Sequence, residues 1–396
     1  MFIFTFEETI INSRKIMGRG YLLKNLLISG TCLSLMCACS SQGGKAIQNS
    51  VNVPDLPVKG GVSAPFAGII GSNMVVSGGC NFPDIPAADG GKKAYYDEAY
   101  GISLDLDGQG WKLLGKISMP LAYGATAITG NGMVCAGGMS ADSAVARSFC
   151  IKLSDNEDEK GVMHIEELPY LPEAIDNGAA VGIGNDVYVT GGNQANGGNS
   201  LYVLRHGAKQ WQKLKDYPMG KRVQPVLLAT EKTLYLVGGF DYDKEENKCT
   251  LYSDMLPYDL ETGEWGNPIS FPVKDDGSSY AISGASGTVL GSKLLLSGGV
   301  DYKIFKEAME GNSPADYMKK PAGWYKFNDD ILIYDTNSGL WSIESDVNGM
   351  NKAGGVLLSK DNKLFMVCGE IKPGIRTPEV VVKEIFYEDG NISIKR

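Results

Sequence analysis

From about residue 60 onward, short apolar runs alternate with Gly-rich turns, and one pattern recurs. An apolar stretch runs into a Gly-Gly pair as MVVSGG ending at Gly79, MVCAGG at Gly138, VYVTGG at Gly192, LYLVGG at Gly239 and LLLSGG at Gly299. A sixth copy, LFMVCGE, carries Cys368-Gly369 instead of the Gly pair. The copies stand 59, 54, 47, 60 and 70 residues apart, the range of a repeat architecture. Ahead of each lies a run of small and apolar residues: FAGII, AYGATAI, NGAAVGI, QPVLLA, SGASGTVL and AGGVLLS. Behind each comes a third run, then a turn and an aromatic. Leu104 to Trp111, Leu204 to Trp211, Tyr258 to Trp265 and Tyr334 to Trp341 are all seven apart. The second copy offers Ile165 in place of the Trp, and the sixth offers Ile392.

Each unit therefore predicts four strands: small-apolar, apolar ending in Gly-Gly, aromatic-rich, and Trp-bearing. Paired Gly permits a bend that side chains forbid. One such sheet cannot bury both faces alone, whereas six arranged radially cover one another. The pattern resembles the Kelch repeat and predicts an all-β fold, a six-bladed β-propeller over residues 61–396. A pair of β-sandwiches is the competing architecture. No composition shift divides this region, and the four repeating Trp read as packing residues.

Composition narrows the chemistry. The chain has 396 residues, 43% of them hydrophobic, and 51 Gly, enough for a large core with many turns. A formal net charge of −9 argues against a nucleic-acid surface, which needs clustered Lys and Arg. Only two His are present, His164 and His206, so a His-rich metal site is excluded. The stretch from Met17 to Ala38 reads as a signal peptide, with Arg19 and Lys24 ahead of an apolar run too short to span a bilayer. Leu35-Met36-Cys37-Ala38-Cys39 resembles a bacterial lipobox, which implies lipidation of Cys39. Residues 39–60 are then a tether, residues 1–16 a non-translated or unstructured extension ahead of the signal, and the location the periplasm or cell envelope. Membrane contact would run through the lipid alone. The five remaining cysteines form no C-x-x-C pair and read as buried thiols, with a single disulfide as the alternative in an oxidising compartment.

In a propeller, loops between second and third strands open on the same face as the segments entering each first strand. The two largest second-to-third insertions, residues 81–100 and 301–329, belong to the first and fifth blades. They flank the sixth, whose equivalent loop holds Glu370, Lys372 and Arg376 around Pro373-Gly374. The Pro-Gly turn folds this loop back. Glu370 and Arg376 are then either a site or an ion pair that tightens a loop. Topology adds Tyr123, Asp176, Asn177, Arg222, Gln224 and Lys352, just ahead of the innermost strands.

GEIKPGIRT, preceded by LFMVC and followed by PEVVV, resembles the signature loop of bacterial N-acetylneuraminate epimerases, the sialic acid mutarotases. The likeness extends through GGVDYKIFKEAMEG, YKFNDDILIYDTNSGLW and the first-blade runs PFAGII and VSGGCNF. The signature stands in the last blade, which resembles a cyclically permuted branch of the family. The resemblance implies that Glu370 is the acid/base and Arg376 the essential cation, holding the substrate carboxylate. It aligns Arg222 with an Arg of the family pattern and implies an acidic sugar as partner. Neither a metal nor an organic cofactor is needed. Lys372 is a second cation or merely exposed; Asn177, Gln224 and Tyr123 are candidate substrate contacts. Leu121 stands where the family has an Arg, which keeps another acidic sugar open. A non-catalytic Kelch propeller that binds a glycan or a protein is the reading from a different class.

Overall fold

The structure is a computed structural model and describes residues 52–105, 108–388 and 391–395. The stretch expected to be a signal peptide, and Cys39, lie outside the described residues. Six antiparallel sheets follow one another along the chain, each of four strands except the fourth, where Ile269–Ser270 adds a fifth. Their innermost strands are Phe66–Ile70, Ala125–Thr129, Ala179–Ile183, Val226–Ala229, Ala285–Leu290 and Val356–Lys360. These touch in succession, and the first meets the last, so the six blades close a ring. The propeller, not the sandwich pair, is the fold.

Strand alternation explains how each blade serves two neighbours. Successive side chains point to opposite faces. In blade five Leu294 and Leu296 pack against blade four, while Leu295 packs against blade six. Each of the six blade–blade interfaces thus has its own apolar cluster.

The seven-residue spacing is a hairpin. Tyr258 lies directly opposite Trp265, and Tyr334 opposite Trp341. The four indoles also tie blades together. Trp211 Nε1 donates to Pro169 O at 2.7 Å, Trp265 to Lys215 O at 2.9 Å, and Trp341 to Ser270 O at 3.1 Å, each in the preceding blade. Trp111 instead donates to Pro54 O at 2.8 Å. Val53 and Leu56 are buried between the first and last blades. Part of the expected tether is therefore built into the propeller, because its apolar residues fill the closing seam.

The five Gly pairs and the Cys368-Gly369 step share one job; Cys368 too has positive φ, 53°. The second residue of each step donates its N–H to a backbone carbonyl of the next blade: Gly79 to Leu121, Gly138 to Ile175, Gly192 to Arg222, Gly239 to Ile282, Gly299 to Lys352 and Gly369 to Val62. The first Gly faces that same segment with positive φ. A Cβ on Gly298 (φ +77) would lie 2.4 Å from Lys352 O. Gly298→Ala is expected to cost about 2 kcal/mol or more through strain and collision. A lower urea midpoint with unchanged slope would report it.

The long insertions carry the irregular structure. In blade five the helix Tyr302–Met309 starts at Asp301, whose Oδ1 accepts from Ile304 N at 2.9 Å. The sequence reading did not expect a helix there. Ala87 of the first-blade insertion packs with Ala308, Tyr317, Met318 and Tyr325 of the fifth. The two walls thus meet above the sixth-blade loop.

Candidate active site

Two rings of equivalent positions build the site. The first lies two residues ahead of most innermost strands, where Ala64, Tyr123, Asn177, Gln224, Gly284 and Gly354 all have positive φ. Their backbones link blade to blade: Tyr123 N donates to Ala64 O at 3.0 Å, Asn177 N to Tyr123 O at 2.8 Å, and Gln224 N to Asn177 O at 2.8 Å. Gly354 N donates to Gly284 O at 2.7 Å, and Ala64 N donates to Gly354 O at 2.7 Å, joining the first blade to the last. The second ring is the residue after each Gly pair: Cys80, Met139, Asn193, Phe240, Val300 and Glu370. Glu370 alone among these six carries a charge.

A cavity of about 820 Å³ opens between the rings, lined in part by Tyr123, Asn177, Gln224, Asn193 and Glu370. That volume suits a small polar ligand. The floor is a chain of hydrogen bonds. Ser283 Oγ donates to Gln224 Oε1 at 3.1 Å, Gln224 Nε2 donates to Asn177 Oδ1 at 3.3 Å, and Asn177 Nδ2 donates to Asp176 Oδ1 at 2.6 Å. Asn193 Nδ2 donates to the same Asp176 oxygen at 2.8 Å. Asp176 is fully buried, and burial raises its pKa while the two amides pull it back down. It positions two cavity amides and does not itself line the cavity.

The sixth-blade loop is a two-stranded ladder, Glu370–Lys372 against Ile375–Arg376, turned by Pro373-Gly374. Glu370 and Arg376 are directly paired across it, and Arg376 Nη2 lies 2.6 Å from Glu370 Oε1. The Arg376 side chain is 1% exposed and that of Glu370 15%. Arg376 Nε donates to Ser63 Oγ at 3.2 Å, and its guanidinium stacks 4.8 Å from the Phe82 ring centroid. Glu370 therefore reaches the cavity, whereas Arg376 stands behind it. Phe82 and Ser63 were not singled out from the sequence. Only the folded loop reveals that they cradle the guanidinium.

Three expected contacts fall elsewhere. Arg222 is fully buried: Nη1 donates to Gly238 O at 2.9 Å, Nη2 meets Asp254 Oδ1 at 2.6 Å, and the guanidinium covers Tyr252. Lys352 is buried against Glu379, with Nζ 3.1 Å from Oε2. Both sit two residues before the axial ring position, level with Val62, Leu121, Ile175 and Ile282, all buried. This register faces the blade seams, which corrects the expectation that Arg222 and Lys352 line the cavity. Lys372 likewise turns away, and its Nζ donates to Lys320 O at 2.9 Å, pinning the loop to the fifth-blade insertion.

The described cysteines are free and buried. Burial pushes the Cys150 thiol up to about 11, Cys249 and Cys368 to about 12, and Cys135 well above its usual value. At pH 8 these four should react with Ellman's reagent far more slowly in the native protein than in urea.

The sequence profile of the N-acetylneuraminate epimerase family matches residues 168–392, which span blades three to six. The N-acetylneuraminate epimerase of Salmonella typhi is 29% identical over 235 residues, covering 56% of this chain and 59% of that protein. That of Haemophilus influenzae (strain PittEE) is 30% identical over 225 residues, covering 53% and 57%. The chain thus spans somewhat over half the length of the curated relatives it matches. A solved structure titled "Structure of YjhT" superposes with a TM-score of 0.63 at 15% identity, over 88% of this chain and 100% of that one. The profile match covers more than half of the sequence, and the chain belongs to the N-acetylneuraminate epimerase family.

Proposed function

We infer that the protein is a mutarotase that interconverts the α and β anomers of N-acetylneuraminate, with Glu370 as the acid/base. The observation that carries this reading is the solitary carboxylate of the second ring, held at the cavity wall by a buried guanidinium. Anomer exchange removes a proton from the anomeric hydroxyl and delivers one to the ring oxygen. A fixed carboxylate beside the sugar can serve both transfers, because the two oxygens flank one carbon. Asn177, Gln224 and Tyr123 supply donors and acceptors for the hydroxyl and acetamido groups. Arg376 balances the charge of Glu370 and fixes its rotamer. The reaction is redox-neutral and hydrolyses nothing, so proton transfer and positioning are all it requires.

The family membership and the names of the relatives support the substrate class. We further propose that blade order is rotated relative to those relatives, which fits a linear match confined to blades three to six. We also propose a lipid anchor at Cys39, which mass spectrometry of the mature N-terminus tests through an acyl adduct. For the reaction, proton NMR follows freshly released α-N-acetylneuraminate as it converts to β. Catalytic amounts of protein should shorten the half-time, and an unchanged half-time sinks the reading.

A further inference from the structure

An anionic sugar approaching Glu370 needs a cation within reach of the cavity. Arg376 cannot fill that need while Glu370 and Ser63 occupy it and its side chain is closed off. A second cation lies one blade round the ring. Lys93, in the first-blade insertion, donates from Nζ to the Tyr123 hydroxyl at 3.1 Å. Its ammonium stands 5.2 Å from the Tyr123 ring centroid and 5.8 Å from that of Phe82, the same ring that carries the Arg376 guanidinium. Cys80, the first-blade equivalent of Glu370, also donates to the Tyr123 oxygen, at 3.2 Å. Glu370, Arg376, Phe82, Lys93 and Tyr123 are therefore one contiguous group, and Tyr123 and Glu370 are its cavity-lining ends. Lys93 stands directly behind Tyr123 at the cavity wall; the lysines that line the cavity, Lys221 and Lys244, come from the entry and insertion of blade four, across the ring from Glu370.

We propose that Lys93, oriented by the Tyr123 hydroxyl, binds the carboxylate of the sugar acid and sets the preference for an anionic substrate. This rests on the mutarotase reading above. Two aromatic faces and a phenol hold the ammonium in place, which lowers the entropy lost when the carboxylate docks. The carboxylate sits on the anomeric carbon, so anchoring it beside Glu370 also places the anomeric hydroxyl within reach of the base.

The test compares N-acetylneuraminate with its methyl ester, which keeps the anomeric centre and loses the charge. In Lys93→Met the ratio of kcat/KM for acid over ester should fall roughly ten- to a hundredfold, the worth of one charge-assisted hydrogen bond. Lys93→Arg should restore most of the ratio, which a purely structural role would not do. A Lys93→Met ratio equal to wild type overturns the proposal and leaves the mutarotase standing. Titration calorimetry with both ligands gives the same ratio without turnover. Should wild type bind the acid but not accelerate exchange, loss of acid preference in Lys93→Met would uphold the anion site while the mutarotase reading falls. Wild type that binds neither ligand overturns both.

Discussion

Glu370→Gln should reduce catalysed anomer exchange by roughly 10²- to 10⁴-fold in a protein that still folds, with a lower urea midpoint because the buried Arg376 guanidinium loses its counter-charge. The amide keeps the shape of the carboxylate, and its carbonyl can still accept from Arg376, which now meets Glu370 at 2.6 Å. It cannot take a proton from an anomeric hydroxyl. The effect should therefore fall on kcat and not on KM, because interactions with the sugar's other groups survive. Circular dichroism and the urea midpoint, measured beside the rate, separate chemistry from unfolding. A variant with full rate would remove Glu370 from the proton path.

Arg376→Met should act first on stability. It deletes a guanidinium that is 1% exposed and leaves a carboxylate that is 15% exposed facing an apolar side chain. Breaking such a pair from one side typically costs about 3–5 kcal/mol, because the remaining charge is left uncompensated. The loss should appear as a lower urea midpoint, together with a fall in exchange rate as Glu370 loses its fixed rotamer. The double variant Glu370→Gln, Arg376→Met should recover much of the lost stability, since no buried carboxylate is then stranded. If Arg376→Met alone were as stable as wild type, the pair would not hold the sixth-blade loop in place.

Much of this was legible in the sequence because the repeat is spelled out by residues that are hard to replace at their positions. Gly-Gly recurs where a Cβ would collide with the next blade's backbone, and Trp recurs where an indole reaches back to the previous blade. The two insertions and the sixth-blade loop followed from counting residues between those marks. Register inside the entry segments was not legible. Tyr123, Asn177 and Gln224 face the axis, while Arg222 and Lys352 one turn of the pattern earlier face the seams. A charged residue at a seam looks, in one dimension, like a charged residue at a site. Arg222 differs from Ile175 and Ile282 at the same level only because Asp254 is there to receive it. The helix Tyr302–Met309 was missed for a related reason: eight residues starting at an Asp cap make a weak signal inside a loop. Phe82, Ser63 and Lys93 join the site through contacts with Arg376 and Tyr123 that span up to 313 residues of sequence.

The most direct measurement is two-dimensional proton exchange spectroscopy on N-acetylneuraminate at anomeric equilibrium. A mutarotase speeds the forward and reverse steps equally. Catalytic protein should therefore produce cross-peaks between the α and β H3 signals without moving their ratio, and Glu370→Gln should not. Absence of exchange, with stoichiometric protein shifting the ratio towards one anomer, would contradict the account and identify a propeller that binds the sugar without turning it over.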